Sequence, residues 1–262
     1  LKDAKLKAES VELIIAATVT PDMQFPSVSC LIQRELGAKK AACFDMSAAC
    51  AGFVYGLITA RQFVANGMYK NALVVAAEKT SSFVDWQDRS TCILFGDGSG
   101  AAVVGPVKRP GFLSAHLGAD GRGADLLMVS AGGSRHPSSR ETLEKKMHYV
   151  KMRGNELFRV AVGIMADAAL KALEQAGLSC QDVDCFIPHQ ANARIIYATA
   201  KKLGLSADKI FMNIEKYGNM SAASSAVALC EAVKSGRIKK GDIVLLDTFG
   251  AGLAWGSCVI KW

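Results

Sequence analysis

The stretch Phe44-Asp-Met-Ser-Ala-Ala-Cys50-Ala-Gly-Phe53 runs from an apolar, strand-like segment through small residues into a helix. Small residues let a ligand approach the backbone closely. The first turn of a helix supplies free N–H groups and the positive end of the helix dipole. A thiol at this place is biased toward the thiolate, the form that attacks carbonyl groups. The stretch therefore predicts a strand–helix unit that carries Cys50 as a nucleophile.

The chain contains an internal repeat. Val11-Glu-Leu-Ile-Ile-Ala-Ala17 resembles Val183-Asp-Cys-Phe-Ile-Pro-His189, and Phe95-Gly-Asp-Gly98 resembles Phe249-Gly-Ala-Gly252. Each half alternates apolar, strand-like runs with helices, which predicts a mostly parallel sheet sandwiched by helices. The sequence therefore predicts an α/β fold of two pseudo-duplicated halves, residues 1–111 and residues 112–262.

The repeat also predicts which residues meet. The separation between Cys50 and Asn219 equals that between Gly67 and Gly236, so Cys50 and Asn219 are predicted to share one helix-start position. His189 ends the first apolar strand of the second half. Ligands gather at the carboxyl ends of strands in α/β sheets. A pseudo-twofold axis between the halves would therefore bring these three side chains together.

Each of these residues also has a plainer interpretation. A buried cysteine is commonly a small core residue, a histidine can simply end a strand, and asparagine is a favoured helix N-cap. The helix start and the small neighbours distinguish Cys50 from the other seven cysteines. Phe95-Gly-Asp-Gly-Ser-Gly100 lacks a full dinucleotide fingerprint and leads into a strand, so we predict a tight turn there.

Composition narrows the class of protein. The 262 residues are 50% hydrophobic, enough for one large core or two closely packed halves. The eight cysteines form no Cys-x-x-Cys pair and no metal-like spacing with histidine, which predicts reduced thiols, no metal site and a cytoplasmic location. No segment is typical of a membrane span or a signal peptide, so we expect no membrane partner.

The chain is basic, with a formal net charge of +7 and a pI near 9.0. Such a surface suits an anionic cofactor such as coenzyme A, an acidic protein or nucleic acid. Aromatic residues make up only 7% and are not interleaved with a basic stretch, which disfavours nucleic acid.

The two halves differ at their beginnings. The second half starts with a strand-like segment at Gly111 and a helix at about Asn155–Ala176, whereas only a helix tail, Leu1–Glu9, precedes the strand at Val11. We therefore expect a first strand and most of a helix to precede Leu1 in the native protein. Residues 130–148 are rich in Ser, Gly, Pro and charge and are predicted to form an exposed loop.

With these residues assembled, the chain resembles β-ketoacyl-acyl-carrier-protein synthase III, the initiating condensing enzymes of bacterial type II fatty acid synthesis. The resemblance runs from about Val11 to Trp262. It rests on the motifs Asp45-Met-Ser-Ala-Ala-Cys50-Ala-Gly-Phe, Phe95-Gly-Asp-Gly-Ser-Gly-Ala, Pro188-His-Gln-Ala-Asn192, Gly218-Asn-Met-Ser-Ala-Ala-Ser and Phe249-Gly-Ala-Gly-Leu-Ala-Trp-Gly-Ser. It implies the thiolase fold, with two similar halves in five α/β layers, and usually a homodimer.

The resemblance also implies roles for the three residues. Cys50 takes an acyl group from acyl-CoA, which is a substrate, so no cofactor is implied. Backbone N–H groups of Cys50 and Gly252 hold the thioester oxygen. His189 and Asn219 bind the malonyl thioester carbonyl while CO2 leaves, and the enolate then attacks the acyl-cysteine.

Further contacts follow from the same resemblance. Residues implied to touch coenzyme A or substrate are Arg89, Gly154, Phe158, Asn192 and Phe249, with Phe25 reaching across the dimer to the acyl pocket. Basic residues predicted to dock the acidic acyl carrier protein are Arg159, Arg194, Lys201 and Lys202. Arg194 and Lys201 are seven residues apart on one predicted helix, so they share a face.

Alternative functions stay open from the sequence. A type III polyketide synthase or a condensing enzyme of secondary metabolism also uses Cys, His and Asn, but on CoA esters without a carrier. A papain-like Cys-His-Asn hydrolase would show a different cysteine signature. An inactive homologue used as a binding module would not need all three reactive residues. The sequence leaves the primer, whether acetyl, branched or longer, undecided.

Overall fold

The computed structural model describes residues 1–108 and 111–262. Its strands are β1 (Leu13–Ala17), β2 (Ala42–Met46), β3 (Ala72–Lys79), β4 (Asp97–Val104), β5 (Phe112–Ala119), β6 (Leu127–Met128), β7 (Lys151–Met152), β8 (Cys185–Pro188), β9 (Ile243–Gly250) and β10 (Ala254–Lys261). Its helices are α1 (Val28–Leu36), α2 (Gly52–Ala65), α3 (Arg89–Cys92), α4 (Arg140–Glu144), α5 (Gly154–Gln175), α6 (Ala193–Leu203), α7 (Ile214–Tyr217) and α8 (Ala223–Lys234).

The strands of the two halves pair in the same way. In the described residues the first half forms a four-stranded sheet of order β2-β1-β3-β4, with β4 antiparallel to β3 and the rest parallel. The second sheet has the order β5-β10-β9-β8, with β8 parallel to β9 and β10 antiparallel to both neighbours. Phe186 of β8 also pairs in parallel with Ile210, where β2 pairs with β1 in the first half. The predicted internal repeat is therefore present in the sheets.

The helices complete five layers. Apolar side chains of α2 and α8 join those of both sheets in one core, so these two helices form the middle layer. Helix α1 covers the outer face of the first sheet, and α5 and α6 cover the outer face of the second. The predicted α/β fold in five layers is confirmed. In the part of the chain that the structure describes, no helix has the length and apolar character that crossing a membrane requires.

The middle helices differ in length, and this corrects one sequence-based expectation. Gly67 and Gly236 follow the ends of α2 and α8 with φ of 81° and 73°, so they are equivalent as predicted. However, α2 has 14 residues and α8 has 12, so equivalent ends do not give equivalent starts. Matched by the left-handed residue at each helix start, Ala49 with a φ of 44° and Ser221 with a φ of 50°, the counterpart of Cys50 is Ala222 and not Asn219.

The segment 130–148 also departs in part from the expectation of a plain loop. It contains α4, which begins with a capping box between Ser139 and Thr142. The division at residue 111 follows two residues, 109 and 110, that lie outside the described part, and it stays a prediction.

Candidate active site

Cys50 lies in the tight connection between β2 and α2. A short 3-10 turn, Ala49–Ala51, leads directly into α2, and Ala49 has a φ of 44°. Few residues other than glycine adopt this left-handed conformation, and strained residues of this kind concentrate at functional sites. The turn holds Cys50 beside the N-terminus of α2 as predicted, with only 6% of its surface exposed.

The surroundings of Cys50 favour the protonated form of its thiol. Burial raises the pKa of Cys50 to about 12, the nearby Ser221 side chain opposes this effect, and the charge of Glu78 adds to the effect of burial. The helix start predicts a bias toward the thiolate, and burial acts against this bias, because a charged group loses its solvation when it is buried. The thiolate therefore stays a prediction.

His189 follows β8 and is neutral at physiological pH. Its backbone N–H donates to the carbonyl of Asp247 at 2.7 Å, which fixes the end of β8 against β9. Burial lowers the pKa of His189 to about 4. Its Nδ1 has no hydrogen-bond partner among the described residues. The ring therefore presents a neutral imidazole that can donate one hydrogen bond and accept another.

Asn219 is held by backbone contacts with the first half. Its N–H donates to the carbonyl of Leu94 at 2.8 Å, and its own carbonyl accepts from the N–H of Gly96 at 3.0 Å. Its side-chain Oδ1 accepts from the N–H of Ser221 at 2.8 Å. This bond orients the amide so that Nδ2 is left to donate. The N-cap of α8 is Ala222, so Asn219 does not act as the helix cap.

The three residues share the wall of one cavity of about 260 Å³. Of the residues implied to bind coenzyme A or the carrier, the cavity is also lined by Gly154, Phe158, Asn192, Arg194 and Phe249. The Arg194 guanidinium lies 5.6 Å from the centre of the Phe158 ring, a cation–π distance at the mouth. Asn192 caps α6, its Oδ1 accepting from the N–H of Arg194 at 2.8 Å.

The remaining predicted residues do not line this cavity. Arg89 is exposed on α3, and Phe25 is 82% exposed before α1. Arg159 is exposed on α5, and Lys201 and Lys202 are exposed at the end of α6. Gly252, with a φ of 141°, lies in the turn after β9, whereas Gly250 lines the cavity.

A second cavity, of about 300 Å³, adjoins Cys50 and was not predicted from the sequence. Its lining is apolar except for Cys50 and Ser221, and comprises Val19, Ala49, Cys50, Phe83, Phe95, Leu127, Met128, Val129, Val150, Ser221 and Ala251. Cys50, Phe95 and Leu127 line both cavities, so the thiol stands between them.

Several walls of the first cavity had no signal in the sequence. Leu127 and Met152 face each other in the two-stranded sheet of β6 and β7. Strands of two residues carry no readable alternation of apolar and polar positions. Leu94, Asn155, Leu157, Ala191 and Ile195 line the cavity as well. Ala191 and Asn155 adjoin the predicted residues Asn192 and Gly154 in the sequence. This proximity is the only sequence feature that pointed to them.

Comparisons with known proteins identify the family of this site. Two family profiles match, 3-Oxoacyl-[acyl-carrier-protein (ACP)] synthase III over residues 44–121 and its C-terminal part over residues 173–262. The beta-ketoacyl-[acyl-carrier-protein] synthase III of Desulfitobacterium hafniense is 57% identical over 263 residues, covering 100% of this chain and 80% of that protein.

Solved structures agree. The crystal structure of 3-oxoacyl-[acyl-carrier-protein] synthase III from Aquifex aeolicus superposes with a TM-score of 0.91 at 45% identity, covering 100% of this chain and 80% of that one. The priming beta-ketosynthase of the R1128 polyketide biosynthetic pathway has a TM-score of 0.92 at 39% identity, covering 99% and 77%. The chain thus belongs to the 3-oxoacyl-[acyl-carrier-protein] synthase III family, the thiolase-fold acyltransferases that start fatty acid synthesis by condensing acyl-CoA with malonyl-acyl carrier protein.

Proposed function

We propose that Cys50 is the residue acylated by the acyl-CoA primer, and that His189 and Asn219 direct the condensation with malonyl-acyl carrier protein. The observation that carries this assignment is the convergence of the three side chains on one cavity from three separate connections of the fold. A Cys-His-Asn hydrolase is the poorer alternative, because the chain belongs to a family of condensing enzymes. Condensation needs hydrogen-bond donors to an enolate as well as a nucleophile, and we assign the donors to His189 and Asn219.

The first half-reaction is an exchange of thioesters. The Cys50 sulfur forms a bond to the primer carbonyl carbon, the carbon–sulfur bond to coenzyme A breaks, and the thiol proton of Cys50 ends on the departing sulfur. The oxyanion that forms in between needs N–H donors. The Cys50 N–H at the start of α2 is one donor. The N–H groups of Ala251 and Gly252 donate to no other atom of the described residues, so the turn can supply the second, at Gly252 as the resemblance implies or at Ala251.

The second half-reaction makes the new carbon–carbon bond. When CO2 leaves the malonyl thioester, its bonding electrons pass into an enolate whose oxygen accepts hydrogen bonds from His189 and from Asn219 Nδ2. The enolate carbon attacks the acyl carbonyl on Cys50, the bond to the sulfur breaks, and the released Cys50 thiolate takes up a proton from the solvent. A neutral His189 suits this role, because an imidazole protonated only on Nε2 can donate to the enolate oxygen.

The two cavities suggest separate binding sites for the pantetheine arm and for the acyl chain of the primer. The first cavity is lined by the exposed Arg194 and by Phe158, and we assign it to the pantetheine arm. The second cavity is apolar and lies beside the sulfur, and we assign it to the acyl chain of the primer. We also propose that Phe25 reaches the acyl pocket of the partner subunit and that Arg89 contacts coenzyme A.

The basic rim around the first cavity is the proposed docking surface for acyl carrier protein. Among the ion pairs of the described residues, Lys202 is engaged by Asp167 at 3.4 Å, whereas Arg159, Arg194 and Lys201 have no acidic partner. Exposed cations without an acidic partner on α5 and α6 favour an acidic protein, mainly through its rate of association. A homodimer, a reaction without added cofactor and a cytoplasmic location complete the proposal.

Intact-protein mass after mixing with acetyl-CoA tests the acylation. We expect one stable acetyl increment, mapped by proteolysis to Cys50 and absent from Cys50→Ala. Cys258→Ala, which changes another buried cysteine, is the matched control and should acylate like wild type. Acetyl found on another cysteine, or rapid hydrolysis without an acyl-enzyme, would overturn the assignment.

A further inference from the structure

Ser221 occupies an unusual place beside the catalytic cysteine. It is the left-handed residue that leads into α8, with a φ of 50°, as Ala49, the neighbour of Cys50, is the left-handed residue that leads into α2, with a φ of 44°. An ideal β-carbon on Gly52 would lie 3.3 Å from the β-carbon of Ala222, so the two helix starts pack against each other. Ser221 and Cys50 therefore lie at adjoining helix starts, and both line the apolar cavity.

The backbone of Ser221 has a structural role that does not involve its hydroxyl. Its N–H donates to Oδ1 of Asn219, and its φ of 50° lies in the left-handed region that serine adopts only when neighbours hold it. These features would be kept by any residue that tolerates the conformation. They do not explain why the side chain carries a hydroxyl.

The hydroxyl itself has no other use among the described residues. Ser221 is buried, and its Oγ has no hydrogen-bond partner of ordinary geometry among the described residues. Ser221 and Cys50 both line the apolar cavity beside the thiol. A buried polar group without a partner is rare and calls for an explanation such as a catalytic role. The nearby titratable groups are Glu78, which raises the pKa of Cys50, and the neutral His189.

We propose that Ser221 is a further catalytic residue, whose Oγ–H donates a hydrogen bond to the Cys50 sulfur whenever negative charge develops on it. The charge develops when Cys50 attacks the primer and again when the sulfur is expelled after condensation. A hydrogen bond to a charged acceptor is considerably stronger than one to a neutral thiol. Ser221 forms and breaks no covalent bond in this role. The inference rests on the proposed function of Cys50 as the acylated residue.

The effect of Ser221 on Cys50 already has the expected direction. The hydroxyl lies close enough to the sulfur to lower the pKa of the thiol against the larger effect of burial, although it makes no well-formed hydrogen bond to the neutral thiol. Catalytic hydrogen bonds are often loose in the free enzyme and tighten when charge appears. The same donor would lower the barrier to expelling the sulfur, because the leaving group carries the charge that the hydroxyl stabilises.

Alkylation of Cys50 by iodoacetamide, followed by peptide mass from pH 6 to pH 10, tests the interaction without any acyl substrate. Only the thiolate reacts. We expect Ser221→Ala to slow alkylation about 10–100-fold below the thiol pKa, as loss of a hydrogen bond to a charged group predicts. Ser225→Ala is the matched control, because Ser225 is buried on α8 with an unpartnered Oγ and does not line either cavity at Cys50.

A second variant separates the hydroxyl from the backbone. Glycine adopts a positive φ without strain, so Ser221→Gly should lose as much as Ser221→Ala if the hydroxyl acts, and should behave like wild type if only the backbone conformation matters. Acetyl transfer from acetyl-CoA should fall by a similar factor, while decarboxylation of malonyl-carrier should not change. Alkylation of both variants at the wild-type rate, or recovery in Ser221→Gly alone, would overturn the inference. Slowed alkylation in a protein that forms no acyl-Cys50 would refute the proposed function but not the hydrogen bond.

Discussion

Gly250 and Cys50 are packed so closely that a β-carbon on Gly250 would lie 2.6 Å from the backbone nitrogen of Cys50 and 3.0 Å from its β-carbon. Real β-carbons do not come this near to a backbone atom, so the end of β9 reaches Cys50 only because residue 250 has no side chain. The contact joins the two halves at the backbone N–H of Cys50, the proposed oxyanion donor.

Gly250→Ala should therefore displace Cys50 without removing any reactive group. We expect acylation by acetyl-CoA to fall at least about 100-fold, since displacements of about 1 Å carry penalties of this size. Gly163→Ala on α5 is the control, because its new β-carbon would meet only the end of Lys202 at 4.0 Å. That variant should keep its activity, and its free energy of unfolding should rise by about 0.5–1 kcal/mol. Full acylation of Gly250→Ala would show that the contact does not position Cys50.

The buried histidine should appear in the pH dependence of stability. Because the pKa of His189 is about 4 in the folded protein, against 6.5 for an ordinary histidine, the unfolded chain binds a proton first as the pH falls. Protonation therefore favours unfolding, and wild type should lose about 3 kcal/mol between pH 6.5 and pH 4 on account of this residue. Denaturant unfolding of wild type and His189→Gln at pH 7 and pH 4 measures the difference. Parallel losses in both proteins would mean that His189 is not held neutral.

A buried acid in the second sheet should act in the opposite direction. Burial raises the pKa of Asp247 well above 3.8, and one of its carboxyl oxygens has no partner among the described residues. As the pH rises above 3.8, the unfolded chain releases this proton while the folded protein keeps it, so the folded state is destabilised. Asp247→Asn keeps the shape and the Ser257 contact without the titration.

The free energy of unfolding of Asp247→Asn at pH 7 should exceed that of wild type, because asparagine does not titrate, and the gap should close near pH 4. The exposed Asp22→Asn serves as the control and should leave stability at both pH values unchanged. A variant less stable than wild type at pH 7 would show that the Asp247 carboxylate is ionised and solvated.

Charge reversal at the cavity mouth tests the proposed carrier surface. Arg194→Glu with Lys201→Glu should raise KM for malonyl-acyl carrier protein, because rim charges act mainly on association, and added salt should produce the same change in wild type. Lys202→Glu should have the smaller effect, since Asp167 already engages Lys202. Acylation by acetyl-CoA reports any damage to the site itself.

Steady-state kinetics with malonyl-acyl carrier protein and with malonyl-CoA distinguish docking of the carrier protein from binding of the malonyl group. Equal losses on both substrates, or no salt dependence with the carrier, would favour a condensing enzyme that works without a carrier. Acylation of the double variant by acetyl-CoA is the necessary control, because Arg194 also lines the cavity and lies over the Phe158 ring.

The internal repeat made most of the fold predictable. Two matching series of apolar runs and glycine turns predicted two halves. Packing the apolar faces of the two halves against each other then gives two sheets with α2 and α8 between them. The same reasoning predicted that Cys50, His189 and Asn219 meet, because it placed each at a strand–helix junction on the same side of its sheet.

The details that the sequence did not reveal depend on distances between segments far apart in the chain. The register of the helix starts differs because α2 is longer than α8, and apolar periodicity does not locate a helix end to within one or two residues. The raised pKa of Cys50 depends on its burial, to which the distant residue Gly250 contributes. Gly250, rather than Gly252, touches Cys50 because β9 extends as far as Gly250 and only then turns.

The central claim is that Cys50 carries the acyl group while His189 and Asn219 serve the enolate, and the rates of the two half-reactions in His189→Ala and Asn219→Ala test it most directly. The account predicts that condensation with malonyl-acyl carrier protein falls by about 10²–10³, the usual cost of removing one donor to a developing oxyanion, whereas acetylation of Cys50 by acetyl-CoA falls much less. Equal losses in both half-reactions in both variants would contradict it.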